Sequence, residues 1–226
     1  MAASCGSRFL QQRSGPPLKA PRSDLEPTVV VIDDDRDIRE ALEGLMRSVG
    51  LRVELFASPQ EFLERAPQIS VGCFVFDVRL PGQSGLDFHD ELLKAHVERP
   101  VVFISGHADI QMSVRAMKAG AVEFLTKPIR PQDLLDAIQM AIGRDRAHRD
   151  AEARIAELRA LFDSLTPRER EVMILVAAGR ANKQIAWEIG VTLATVKLHR
   201  GQIMRKMRAR SLADLVRMAD KLNLSP

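Results

Sequence analysis

Between Thr28 and Ile142, five short apolar runs alternate with five amphipathic stretches, and few folds can bury such a pattern. The runs cover residues 28–32, 51–56, 71–76, 100–104 and 121–125, and helical periodicity occupies 37–49, 58–66, 86–95, 110–119 and 132–142. Short apolar runs separated by helices form βαβ units, whose right-handed crossovers cover both faces of a parallel sheet. The pattern therefore predicts an α/β doubly wound, five-stranded parallel sheet. Such sheets bind ligands outside the carboxyl ends of their strands, so the residues that follow each run are the ones to inspect.

The rest of the chain reads differently. Residues 1–26 are rich in Ser, Gly, Pro and Arg, without apolar periodicity, and are expected to form a flexible tail. Residues 27–143 form the α/β domain, and 144–163 continue as a linker helix with an apolar seam at Ala151, Ile155, Leu158 and Phe162. That seam fits docking on its own domain or pairing with a partner helix. Residues 164–226 carry the start and stop signals of four short helices. Thr166-Pro167-Arg168-Glu169 is a capping box with proline at the first helical position, and Gly179 closes that helix. Asn182 is expected to cap the next helix and Gly190 to end it. Thr192 caps the third, and Ser211 through Asp214 make a second box. Helix, glycine turn, helix is the helix-turn-helix signature.

Charge divides along the same line. Residues 27–145 hold 13 basic against 19 acidic side chains, whereas 164–226 hold 12 basic against five acidic ones. A basic helix-turn-helix unit points to nucleic acid. With nine Phe, one Trp and no Tyr, stacking on aromatic platforms is an unsuitable binding mode. Two cysteines, Cys5 and Cys73, are too few for a disulfide framework. No apolar run approaches the roughly 18–20 residues of a membrane span, and no apolar leader is evident, so a cytoplasmic location without membrane contact is expected.

The strand ends carry a complementary set. The first run leads into Asp33-Asp34-Asp35, the third into Asp77, the fourth into Ser105 and the fifth into Thr126-Lys127-Pro128. Clustered carboxylates repel one another unless a cation or an ammonium lies among them. Mg²⁺ suits one or two carboxylates together with phosphate oxygens, and a lysine and a hydroxyl can bind further phosphoryl oxygens. Asp77 then becomes the phosphoacceptor, since a carboxylate can form an aspartyl phosphate. Each aspartate in 33–35 also suits a helix cap.

Residues 28–142 resemble the receiver domain of two-component response regulators. The resemblance is carried by Ile32-Asp33-Asp34-Asp35, by 76–85 (Phe-Asp-Val-Arg-Leu-Pro-Gly-Gln-Ser-Gly), by Ile104-Ser105-Gly106-His107 and by Phe124-Leu125-Thr126-Lys127-Pro128. It implies a flavodoxin-like fold and phosphorylation of Asp77. It also implies Mg²⁺ ligation by Asp34 and Asp77, by Asp33 through water and by the Arg79 carbonyl. Ser105 and Lys127 would contact the phosphoryl group, Lys127-Pro128 would be cis, and Phe124 would switch with Ser105. Arg79 and His107 are expected at the pocket rim, and Cys73 in the core.

On the third C-terminal helix, 193–208, a rotation of about 100° per residue places Val196, Ile203 and Met207 on one buried stripe. Lys197, Leu198, Gly201, Gln202, Arg205 and Arg208 face the other way, a set suited to a major groove. Residues 164–224 resemble the LuxR-type four-helix DNA-binding domain, through 165–172, Ala178-Gly179, 182–186 and 195–199. This implies Lys183, Thr195 and Arg200 near the DNA backbone, with Lys197, Leu198 and Gly201 toward bases. Trp187 is expected in the core, and His199 as a structural hydrogen-bonder.

Together the two parts resemble a FixJ/NarL-type response regulator, not an enzyme. The partners so implied are a histidine kinase, double-stranded DNA, RNA polymerase and a second copy of the chain on phosphorylation. A regulator gated without phosphorylation is the alternative. A phosphatase of similar carboxylate chemistry would need a cap insertion, which the sequence lacks.

Overall fold

The structure is a computed structural model that describes residues 27–65, 70–106 and 110–224. The predicted tail at 1–26 and the rim residue His107 lie outside the described residues. The chain forms two compact units, dividing after Ala147.

The first unit contains strands β1 (Thr28–Ile32), β2 (Arg52–Phe56), β3 (Val71–Asp77), β4 (Val101–Ser105) and β5 (Glu123–Thr126). Its helices are α1 (Arg36–Ser48), α2 (Pro59–Arg65), α3 (Gly85–Lys94), α4 (Ile110–Lys118) and the start of α5 (Pro131–Asp163). The strands are all parallel in the order β2-β1-β3-β4-β5, the flavodoxin-like arrangement.

Alternation along the strands sorts the core into two layers. Val30, Ile32, Phe74, Phe76, Val101 and Phe103 face Phe62 of α2, Leu86, Phe88 and Leu92 of α3, and Ala116 of α4. Val29, Val31, Val75, Val102 and Ile104 face Leu42 and Met46 of α1 and Leu134, Ile138 and Ala141 of α5, with Cys73 buried in this layer as expected. The fifth strand begins two residues later than its apolar run, because Ala121 and Val122 are buried as the lead-in to β5.

The sequence treats 132–142 and 143–163 as separate helical stretches, but α5 is one helix of 33 residues. Gly143 has open space around it and nothing forces a break there. Of the predicted seam, Leu158 and Phe162 pack on the core of the second unit, while Ala151 and Ile155 stay exposed.

That second unit holds α6 (Pro167–Ala177), α7 (Asn182–Glu188), α8 (Leu193–Lys206) and α9 (Leu212–Lys221). Its core is built from Val172, Met173, Val176, Ile185, Val196, Ile203, Met207 and Leu215. The Thr166–Glu169 capping box forms as predicted, and Thr192 and Ser211 cap α8 and α9. Two local expectations fail. Ala181 rather than Asn182 is the N-cap of α7, with Gln184 Oε1 accepting from the Ala181 N–H at 2.8 Å. Trp187 is 87% exposed rather than in the core, because Ile185 and Ile189 already occupy the inward side of this short helix.

Glu169 ties the helices together. Its Oε2 accepts from the Thr166 N–H at 2.7 Å and from Lys206 Nζ at 2.6 Å, in a side chain only 2% exposed. Burial alone would raise its pKa, but the hydrogen bonds from Lys206 and Thr166 outweigh it and hold the carboxyl below its ordinary value. The folded state therefore gains from the charged form above the ordinary glutamate pKa, and that gain is lost as pH falls through the depressed value. Glu169→Gln should destabilise the helical unit by about 2 kcal/mol at neutral pH, with the deficit shrinking in acid. Hydrogen exchange on α6 and α8 of the full chain, at two pH values, reads both effects.

Candidate functional site

Two adjacent central strands, β1 and β3, end in carboxylates, and β5 sends a lysine across to both. Lys127 Nζ lies 2.8 Å from Asp33 Oδ2 and 2.7 Å from Asp77 Oδ2. The other oxygens of this pair are held by backbone: the Asp35 N–H donates to Asp33 Oδ1 at 2.9 Å and the Arg79 N–H to Asp77 Oδ1 at 3.0 Å. Arg39 of α1 donates to the Asp33 carbonyl at 2.6 Å, a contact nothing in the sequence pattern signals. Burial pushes the Asp33 carboxyl above the ordinary range, against the pull of Lys127 and of the Asp35 N–H. Desolvation disfavours the Lys127 charge, but the Asp33 and Asp77 carboxylates more than compensate and raise its pKa.

The aspartate triplet divides its labour by direction. Asp33 points inward at 0% exposure, Asp34 is exposed, and Asp35 caps α1 by accepting from the Asp37 and Ile38 N–H groups. Asp33, Asp34 and Asp77 each offer an oxygen within 4.8 Å of the others, a hard-donor set that suits a divalent cation. Ser105 ends β4 fully buried, and its carbonyl accepts from the Lys127 N–H at 2.8 Å. Lys127-Pro128 is cis. Phe124 is half-buried against the α2–α4 layer, and Arg79 is exposed. Gly85 is a site residue whose role the sequence does not reveal. A Cβ there would stand 2.2 Å from the Asp77 carbonyl oxygen, so the start of α3 can press against the end of β3 only with glycine.

In the helical unit, α8 buries Val196 and Ile203, and its C-cap Met207 is buried with them, as the pattern predicts. Its opposite face forms an open groove of about 350 Å³ lined by Lys197, Leu198, Gly201, Gln202 and Arg205. Lys183 on α7 is exposed. Thr195 is half-buried, its hydroxyl 2.8 Å from that of Thr192, and Arg200 donates to Asn182 Oδ1 at 2.7 Å. Asn182 thus braces α8 instead of capping α7. Arg208 leaves the predicted face: α8 ends at Lys206, and Arg208 adopts a φ of 54° with its guanidinium 3.7 Å from Glu157. Among the described residues, the Nδ1 of His199 is buried without a hydrogen-bond partner.

A carboxylate–lysine pocket on a flavodoxin-like sheet, joined to a basic helix-turn-helix unit, defines a signal receiver coupled to a DNA-binding module. The comparisons with known proteins agree. The response regulator receiver domain family matches residues 29–139, and the luxR family of bacterial regulatory proteins matches 163–219. Nodulation protein W of Bradyrhizobium diazoefficiens is 52% identical over 197 residues, 87% of each chain. Response regulator protein TmoT of Ectopseudomonas mendocina is 43% identical over 214 residues, covering 95% of this chain and 97% of that one. Among solved structures, response regulator StyR superposes with a TM-score of 0.76 at 47% identity, covering 87% of this chain and 100% of that one. The chain belongs to the two-component response regulators that join a receiver to a LuxR-type DNA-binding domain, and it is a transcriptional regulator of that class.

Two outcomes follow from the geometry. Lys127→Gln leaves two adjacent carboxylates without their ammonium and raises the cost of ionising both. The variant should lose about 3 kcal/mol at neutral pH, and less as pH falls and Asp33, whose carboxyl burial pushes upward, takes up its proton, as followed by denaturant midpoints across pH. Gly201→Ala meets no atom within 4 Å and should raise the stability of the helical unit by about 0.5–1 kcal/mol, readable as slowed hydrogen exchange along α8.

Proposed function

We propose that Asp77 accepts a phosphoryl group from the phosphohistidine of a partner kinase, and that the resulting acyl phosphate releases DNA binding through α8. The observation that carries this reading is the Lys127 ammonium shared between Asp33 and Asp77 at hydrogen-bond distance. In the transfer, a P–O bond forms at the Asp77 carboxylate as the P–N bond to the kinase imidazole breaks. Asp33, Asp34, Asp77 and the Arg79 carbonyl would hold Mg²⁺, which when bound neutralises charge between the carboxylates and the phosphoryl oxygens. Lys127 gives its hydrogen bonds to one phosphoryl oxygen, and the Ser105 hydroxyl serves another. The chain acts as acceptor and reporter of the group, not as a turnover enzyme.

Phosphorylation adds about 1.5–2 negative charges to a site already rich in them. Lys127 and Ser105 are drawn toward the new oxygens, and Phe124 repacks beside α4. On α4, Ile110, Val114 and Met117 are 81%, 44% and 48% exposed at spacings of four and three residues, an apolar stripe suited to a second copy of the chain. A homodimer sets two α8 helices about one DNA turn apart on a two-fold site. Lys197, Leu198, Gly201, Gln202 and Arg205 then meet base edges and nearby phosphates, and Lys183, Thr195 and Arg200 meet the backbone. The bound dimer acts on transcription through RNA polymerase.

Acetyl phosphate with magnesium should add one phosphoryl mass, about 80 Da, to the wild type and none to Asp77→Asn. Gel filtration of the same samples should show a dimer only where the adduct forms, and Val114→Glu should keep the adduct while losing the dimer. An adduct of equal yield on Asp77→Asn would remove Asp77 from the mechanism.

A further inference from the structure

The geometry points to a thymine-methyl recess on α8, formed by Leu198 and the missing side chain of Gly201, which fixes a T·A pair in each half-site of the operator. This rests on the reading of α8 as the base-reading helix and specifies what it reads. The first observation is Gly201 itself. It stands ninth in a helix of 14 residues, where glycine weakens the helix, and a Cβ there would touch nothing within 4 Å. Nothing among the described residues asks for a glycine here, in contrast to Gly85, where the Asp77 carbonyl demands one.

The second observation is what surrounds the gap. Lys197, Leu198 and Arg205 lie four residues before, three before and four after Gly201, so all are its neighbours on the same helix face. The same residues, with Gln202 and Gly201 itself, line the open groove. Leu198 is the apolar member of that lining and is 61% exposed, leaving an isobutyl group in water among two cations and an amide.

Among the groups that base pairs present in the major groove, the C5-methyl of thymine is the apolar one. Leu198 cannot satisfy an exocyclic amine or a carbonyl, so a base edge set against it costs least when it brings a methyl. The gap at Gly201 lets that methyl approach the helix backbone, where any larger residue would hold it off. Lys197, Gln202 and Arg205 remain free to bond neighbouring base edges and phosphates.

The test separates the methyl from the rest of the base. Preferred duplexes are selected from a random library with the full-length protein in acetyl phosphate and magnesium. Each dT of a half-site is then replaced singly by dU, which removes the methyl and keeps every hydrogen-bonding group. Binding of the wild type should weaken about fourfold at one dT per half-site, the effect of burying one methyl, and about fifteenfold when both half-sites are changed. Leu198→Ala and Gly201→Leu should bring that dT/dU ratio close to one. The ratio is internal to each protein, so a general loss of affinity in a variant does not mimic the effect. A preferred sequence with no position sensitive to dU, or a ratio unchanged in both variants, overturns the recess. The absence of any sequence preference overturns the base-reading role of α8, and the recess with it.

Discussion

The arrangement of the receiver depends on how two carboxylates are kept side by side at the edge of a buried sheet. Asp33 and Asp77 end neighbouring strands, and both are almost wholly withdrawn from water. Ionised and unaccompanied, they would repel strongly in a poorly screened site. Lys127 resolves this by reaching from the last strand, across the end of β4, to both oxygens. One ammonium thus links the ends of β1, β3 and β5. Whatever changes the charge on Asp77 changes the balance at all three, and it reaches β5, the strand that also carries Phe124. The same contact that makes the folded state tolerable is the one a phosphoryl group would compete for.

Backbone geometry supports this electrostatic arrangement. Each carboxylate oxygen not used by Lys127 is taken up by an N–H two residues further along, from Asp35 or Arg79. These local bonds orient the carboxyl groups before any ligand arrives. Gly85 adds a steric condition, since the chain after Asp77 turns back so tightly that α3 begins against the Asp77 carbonyl. The Gly85 N–H donates to the Val78 carbonyl at 3.0 Å, which closes that turn. The loop after β3 is therefore held by hydrogen bonding and by exclusion of a side chain, and both act on the strand end that carries Asp77.

Much of this was legible because it lies in periodicity and in the residues that follow each run. Alternation in 28–32 and 71–76 separates the two core layers directly, and the capping box at Thr166 is written in four consecutive residues. What was not legible depends on contacts distant in sequence. Asn182 has the composition of a cap, yet its side chain is claimed by Arg200, 18 residues on, and Gln184 closes the helix start in its place. Trp187 has the composition of a core residue, but a seven-residue helix offers few inward positions and isoleucines fill them. Arg208 continues the helical phase on paper, whereas α8 stops two residues earlier. The continuity of α5 was hidden for a related reason: glycine weakens a helix by propensity, but flanking turns anchored by Ala141 and by the Arg99–Asp145 pair at 2.9 Å carry the helix through Gly143.

Net charge alone does not locate the nucleic-acid face, because many cations of the helical unit serve the fold. Lys206 neutralises the buried Glu169, Arg200 holds Asn182, Arg170 donates to the Asp163 and Leu165 carbonyls, and Arg208 lies beside Glu157. Among the described residues, Lys183, Lys197 and Arg205 make no ion pair within the chain, and all three are exposed. A cation already paired gains less from a phosphate, since it must give up its partner or share it; an unpaired one gives up only water and counterions. Lys197 and Arg205 flank the groove on α8, so the face its packing leaves uncovered carries two cations that the fold does not pair. Helix phase and ion pairing are independent constraints, and on α8 both leave Lys197 and Arg205 facing water, where a phosphate would displace only solvent and counterions.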